Sequence, residues 1–349
     1  MATEPEVEPP PAHVIARAAE LRQRIDTASL REALTALPGP RCPVHQPGAS
    51  AEAVEQIEAT FRAAGWTTHR QRFEVAATAR RHYGRLLVRY FPDVGGVNVV
   101  ASRPGRRWPD EVVVIGAHHD TLATTPGADD NGAGLVAMFE LARLLAETPL
   151  DRTVLLVAFD HEEIGFHGAH HFVSTLPEGT TVRGALIYET MAYVSREPGS
   201  QRLPPGFGAI FPRQVRRVRQ RGGIGDFDAI IYRDRARTLA RRFAGALAAL
   251  EGDDAAMLLR DPVDLPVLGP ALKVLAPPVR NLARSDHVAF WNAGLPAVQV
   301  TDTANFRNPH YHQPTDTPDT VDVDRLAALV AATAVTVERT AGVAGGRAA

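Results

Sequence analysis

One short stretch, GAHHDTLATTPGADDNGAG, carries the first chemistry of the chain. His118 and Asp120 form an H-x-D after the apolar run Val112–Ile115. Asp130 follows in a Gly/Asp/Asn turn, just before a helix pattern begins. Glu162–Glu163, Glu189 and His312 come later, each at a strand end or in a loop. Imidazole nitrogen and carboxylate oxygen are donors that zinc prefers, and a catalytic zinc keeps one position open for water. A pair of ions needs one bridging carboxylate and further donors for each. Two ions ~3.5–4 Å apart polarise a carbonyl and activate a water together.

The residues divide naturally among these roles. His118 binds one ion through one ring nitrogen. Asp120 is placed to accept the other ring N–H and fix the tautomer, as carboxylates behind metal-bound histidines do. Asp130 bridges, Glu163 and Glu189 each complete one ion, and His312 serves the second. A general base must reach the attacking water without being tied up as a ligand. Adjacent acids at a strand end point in different directions, which leaves Glu162 for that task beside Glu163.

Each piece alone has a plainer reading. H-x-D is commonly a hydrogen-bonded surface pair, Asp129–Asp130–Asn131–Gly132 a turn with a helix cap, and Glu162–Glu163 first-turn acids opposing a helix dipole. Glu189 on an apolar strand is harder to dismiss, because a buried carboxylate needs a partner. Together, five ligand-capable groups and a base at strand ends outweigh the separate readings. His119 alternates to the other face of its strand, and His161, His167, His170 and His171 read as packing or helix-surface residues. His287 in SDH could support the site indirectly, and His310 competes with His312 as a ligand.

The elements that must hold these side chains form a pattern of their own. Helix-like stretches at His13–Asp26 and Ser50–Ala64 precede strand-like runs at Gln71–Val75, Tyr83–Tyr90 and Asn98–Ala101. Strands and helices then alternate: strand Val112–Ile115, helix Gly132–Glu147, strand Thr153–Phe159, helix Gly165–Leu176, strand Ala185–Tyr188. Near-continuous apolar strands between helices predict a largely parallel sheet buried on both faces. Residues 195–225 read as an irregular loop. Its basic run Arg213–Gly223 is either a solvated loop or a substrate-side lid. Beyond it lie a helix at Asp234–Leu250, an irregular acidic stretch at Glu251–Pro270 and a strand at Ala271–Ala276. The series closes with a helix at His287–Asn292, a strand at Ala297–Thr301 and a helix at Val323–Thr340. Residues 1–12 are expected to be disordered and 343–349 to form a flexible tail, flanking one domain over 13–342.

Composition narrows the class. An apolar fraction of 45% supports a buried core, and a net charge of −2 gives no reason to expect nucleic acid or an anionic membrane as partner. A single cysteine, Cys42, excludes a fold stapled by internal disulfides. The acidic, proline-rich start lacks the layout of a signal peptide, and no run approaches the ~20 apolar residues of a membrane span. A cytoplasmic protein is the expectation.

The motifs GAHHDT, GADDNGAG, FDHEEIGFHGAHHF, LIYETMAYVSREPGSQ, SDHVAFWNAGLPAVQVTDTA and HYHQPTDTPDT resemble those of the M28 metallopeptidases, di-zinc aminopeptidases of the bacterial leucyl aminopeptidase type. The resemblance spans about Asn98 to Val323. It implies a three-layer α/β/α fold with a central mixed, mostly parallel twisted sheet, two divalent ions with zinc foremost, and a peptide or aminoacyl substrate. It places the first histidine ligand on His118, the orienting aspartate on Asp120, the bridge on Asp130, the base on Glu162, the next ligand on Glu163 and the last, in H-x-x-x-D-T, on His312. The bond after the bridging aspartate is cis in some members, and a tyrosine at the position of Tyr311 helps stabilise the tetrahedral intermediate in some relatives. Many members carry aspartate where this chain has Glu189, which bears on metal preference and on the fit for a free amine. Alternatives on the same fold are a carboxypeptidase-like or amidohydrolase relative and a glutaminyl cyclase. A binding domain that has lost its metals is the alternative of another class.

Overall fold

The computed structural model describes residues 9–75, 79–82, 85–90, 94–265, 269 and 277–343. An eight-stranded sheet runs through the centre in the order β1-β4-β6-β5-β7-β10-β8-β9. Its strands are β1 (Thr67–Val75), β4 (Val94–Arg103), β5 (Trp108–His118), β6 (Arg152–Phe159), β7 (Thr181–Tyr188), β8 (Asp228–Tyr232), β9 (Ala256–Arg260) and β10 (Ala297–Thr301). Two shorter strands, β2 (Ala79–His82) and β3 (Arg85–Tyr90), pair separately.

The middle of the sheet is parallel: β6, β5, β7 and β10 run the same way, while β8 and β9 are parallel to each other and run opposite to these four. Antiparallel pairings join β1 to β4, β4 to β6 and β10 to β8, so the sheet is mixed. Because the four central strands share a direction, their carboxyl ends lie along one edge, where α/β sheets build sites. β5 is buried continuously from Val112 to His118, as a parallel strand covered on both faces must be.

Helices cover both faces. On one side lie α1 (Ala12–Gln23), α2 (Thr27–Ala36), α3 (Pro47–Ala63), α4 (Ala133–Leu145), α8 (Arg237–Glu251) and α10 (Val323–Ala341), gathered on one hydrophobic cluster. On the other lie α5 (His167–Ser174), α6 (Phe207–Ile210), α7 (Pro212–Gln220) and α9 (His287–Asn292), gathered on a second. The expected three-layer α/β/α architecture is present. Among the described residues no helix is long and apolar enough to cross a membrane.

Several local expectations need correction. The helix predicted to run to Asp26 ends at Gln23, and Asp26 instead caps a second helix, its carboxylate accepting the N–H groups of Ala28 and Ser29. Residues 195–225 are not simply irregular. They hold α6 and α7, and the basic run is amphipathic, with Val215 and Val218 buried beneath its arginines. The acidic stretch 251–270 contains β9, and β8 was not foreseen. Both are five-residue, buried strands whose brevity leaves almost no periodic signal. The strand expected at Ala271–Ala276 lies outside the described residues, as do 1–8 and 344–349. Of the segments expected to be disordered or flexible, Ala12 opens α1 and Val343 bridges Leu150.

Candidate metal centre

Four parallel strand ends deliver the side chains. β5 ends on His118. Glu162 and Glu163 follow β6, Glu189 follows β7 directly, and the loop after β10 leads to His312. Asp130 sits at the entry to α4, beyond a turn in which Gly127 adopts φ 72°. A side chain at Gly127 would strike Thr121 and the Asp130 carbonyl, at 2.3 and 2.6 Å, so this loop demands glycine. The Asp130–Asn131 peptide bond is cis.

The carboxylate of Asp130 faces both histidines. Its Oδ1 lies 3.2 Å from His118 Nε2 and its Oδ2 3.2 Å from His312 Nε2. Glu189 Oε2 stands 3.4 Å from His118 Nε2, and Glu163 Oε2 stands 3.3 Å from His312 Nε2. Donor atoms of His118, Glu162 and Glu189 lie within 4.8 Å of one another, as do those of Asp130, Glu163 and His312. The structure thus brings together all five residues expected as ligands, with Glu162 beside the first group.

This donor set suits divalent cations. His118 Nε2 and both Asp130 oxygens are buried without a hydrogen-bond partner among the described residues. Buried polar atoms left so are costly unless something else satisfies them. Burial works against a charge on either imidazole. The acids outweigh it: Glu162, Asp120, Asp130 and Glu189 hold His118 well above its ordinary range, and Asp130 and Glu163 bring His312 up to about 10. Burial likewise pushes the Asp130 carboxyl up, but the two histidines overcome it and hold it well below the usual range. Burial, reinforced by Asp130, brings Glu163 up to about 7, and burial with Glu189 raises Glu162 well above the usual carboxyl range. Protonated imidazoles wedged between carboxylates have the charge pattern that a bound cation replaces, releasing those protons.

The supporting contacts depart from expectation in one respect. His118 Nδ1 donates to the backbone carbonyl of Asp120 at 3.0 Å, while the Asp120 carboxylate is 3.6 Å away. A carbonyl can only accept, so the main chain holds a proton on Nδ1 and leaves Nε2 facing Asp130 and Glu189. The Asp120 carboxylate instead accepts the backbone N–H groups of Glu162 and Glu163, at 3.0 and 3.1 Å, and so orients the glutamate pair. Tyr311 stacks on His312, with ring centroids 3.8 Å apart and planes 18° apart, and its hydroxyl lies 3.5 Å from Arg284.

The other histidines make contacts outside the ligand set. His310 Nδ1 meets Thr315 Oγ1, His119 Nε2 meets the Val97 carbonyl, and His161 Nδ1 meets Asp160. His287, weighed as a supporting residue, bonds the Leu282 carbonyl and packs against Trp291.

Sequence reasoning missed several residues that hold the site. Ser285 donates to Glu189 Oε2 at 2.9 Å. Asp316 accepts the N–H groups of Asp129 and Asp130, and Asp129 accepts from Asn308 and Ala192. Asp286 is fully buried with both oxygens unpartnered among the described residues. Burial, with Asp120 and Glu189 nearby, raises its carboxyl against the pull of His118. Ser285, Asp286 and Asp316 lay inside SDH and H-x-x-x-D-T, so motif position could have found them. Arg41 carries no such signal. Its buried guanidinium donates to the carbonyls of Pro38, His119, Pro126 and Gly127, and its backbone N–H donates to Thr121.

The family model described as Peptidase family M28 matches residues 98–216 and 269–337, which include every residue at the centre. The chain belongs to peptidase family M28. As an M28 member it is a hydrolase of peptide bonds. The Escherichia coli protein YfbL is 30% identical over 260 residues, covering 70% of this chain and 72% of its own length. The Bacillus subtilis aminopeptidase YwaD is 32% identical over 103 residues, 29% of this chain and 23% of its own. Among solved structures, the aminopeptidase from Aneurinibacillus sp. strain AM-1 superposes with a TM-score of 0.65 at 14% identity, over 93% of this M28 chain and 96% of its own. The Porphyromonas gingivalis glutaminyl cyclase superposes with a TM-score of 0.57 at 17% identity, over 93% and 98%. At these identities the structural likeness speaks for the fold.

Proposed function

We propose that this M28 peptidase is a zinc-dependent aminopeptidase, with residues 13–342 as one catalytic unit that removes the first residue of a peptide at a two-cation centre. The observation that carries the reading is the position of Asp130, whose two oxygens each face a different histidine, with a glutamate standing beside each pair. His118 and Glu189 would hold one ion, Glu163 and His312 the other, and Asp130 both. Bound, the ions supply Lewis acidity that makes water easier to deprotonate and a carbonyl easier to attack.

The chain's own residues do the rest. Glu162, with its backbone N–H held by Asp120, takes the proton from the attacking water and passes it to the leaving amine. Tyr311, fixed by stacking on His312, offers its hydroxyl toward the developing oxyanion. Curated relatives named as aminopeptidases and as probable zinc metalloproteases support the reading.

The test is metal analysis of the purified protein together with a panel of aminoacyl anilides and their N-acetylated counterparts. Two zinc ions per chain and cleavage of free-amino substrates alone are expected. Equal cleavage of blocked substrates would overturn the aminopeptidase assignment.

A further inference from the structure

A cleft opens beside the metal centre, with Glu189 and Tyr311 on its near wall. Its far walls are apolar, built by Phe207 of α6, Phe227, Met257 and Leu259 of β9, Leu282 and Phe306. Sheet register explains the floor. Gln299 on β10 stands opposite Ile231 on β8, which stands opposite Leu259 on β9. Thr301, two residues nearer the carboxyl end of β10, heads the next row with Ala229 and Met257. Gln299 therefore lies one side-chain repeat, about 6–7 Å, deeper than the row beside the metal centre.

Gln299 is 4% exposed, and its Oε1 is buried without a hydrogen-bond partner among the described residues. The contrast with the other glutamine of the cleft is informative. Gln201 donates to the Arg202 carbonyl and Thr303, and it accepts from Arg307. An amide set among apolar side chains costs stability unless something satisfies it. An occupant of the cleft is placed to do so.

We propose that Gln299 is a specificity-determining residue that reads the tip of the substrate's first side chain. It selects a long, largely apolar side chain ending in a hydrogen-bonding group: tyrosine over phenylalanine. The walls take an aromatic ring. The amide can both donate and accept, as can a phenolic hydroxyl. A cationic tip would meet Arg202 and Arg284, and among the described lining residues the one carboxylate is Glu189 at the near wall. The inference rests on the aminopeptidase reading above.

The experiment compares kcat/KM for tyrosyl- and phenylalanyl-p-nitroanilide in the zinc-loaded protein, in Gln299→Leu and in the volume-matched Gln299→Met. Wild type should prefer the tyrosyl substrate by about tenfold. Both variants should bring the ratio to one or below, and Gln299→Leu should melt at the same or a higher temperature. A wild-type ratio near one overturns the proposal, as does a ratio unchanged in the variants. Cleavage of leucyl- but neither aromatic substrate overturns it too and leaves the aminopeptidase reading standing. Failure to cleave any free-amino substrate removes that reading and this proposal with it.

Discussion

Asp316 receives the backbone N–H of Asp130 at 3.1 Å across 186 residues of sequence, and its other oxygen receives the N–H of Asp129 at 2.9 Å. The side chain that faces both histidines is thus held from behind by its own main chain. Asp316→Ala leaves two buried N–H groups unsatisfied and frees the Asp130 carboxylate to swing. Zinc affinity should fall by roughly 10–100-fold, as it does when supporting partners of metal ligands are removed. Competition with a chromophoric chelator measures this, and wild-type affinity in the variant would refute it.

Glu162→Gln keeps the size of the side chain and removes its basicity. The variant should retain its metal and lose about 10²–10⁴-fold in kcat, the span a general base supplies. Elemental analysis alongside steady-state kinetics checks both halves. Normal turnover would remove Glu162 from its assigned role.

Exhaustive chelation should abolish activity, and zinc or cobalt should restore it. Asp130→Asn should retain fewer ions than wild type, because one amide cannot serve two cations as a carboxylate does. Full activity in protein stripped of metal would end the two-cation scheme.

Asp120 has a different expected signature. Asp120→Asn keeps the backbone carbonyl that fixes His118 but weakens the acceptor for the Glu162 and Glu163 N–H groups. The loss should fall mainly on kcat, with metal retained at millimolar zinc. A variant that loses metal but keeps kcat once reloaded would contradict this division.

His287 gives a pH dependence that does not depend on the metal. Burial depresses its imidazole from 6.5 to about 3. The unfolded chain takes up a proton as pH falls below 6.5 while the folded chain does not, so this residue's contribution is complete above that value and shrinks toward acid. Between pH 6.5 and 5 the loss is about 2 kcal/mol. His287→Gln, which can still donate to the Leu282 carbonyl, should flatten that part of the stability curve. Parallel wild-type and variant slopes would show otherwise.

Much of the centre could be read in advance because strand ends announce themselves. Val112–Ile115, Thr153–Phe159 and Ala185–Tyr188 are apolar runs that stop at acids or a histidine, and parallel strands bring such stops to one edge. At Asp120 the pattern stops short, since an H-x-D cannot reveal whether the main chain, at 3.0 Å, or the carboxylate, at 3.6 Å, stands nearer the ring. β8 and β9 escaped notice because five buried residues carry no period, and α7 because arginines dominate its two buried valines. Gln299 could not be singled out at all. Its isolation depends on which strands lie beside β10, and pairing order is not written in any one segment.

Arg41 shows where the minimal enzyme begins. It lies 57 positions ahead of the first residue matched by the M28 family model, yet it clamps both ends of the loop joining His118 to Asp130. A truncated polypeptide starting at residue 98 would retain all six side chains of the centre and lose that clamp. Attempts to graft or shorten this catalyst must carry the chain from Pro38 onward, Arg41 included.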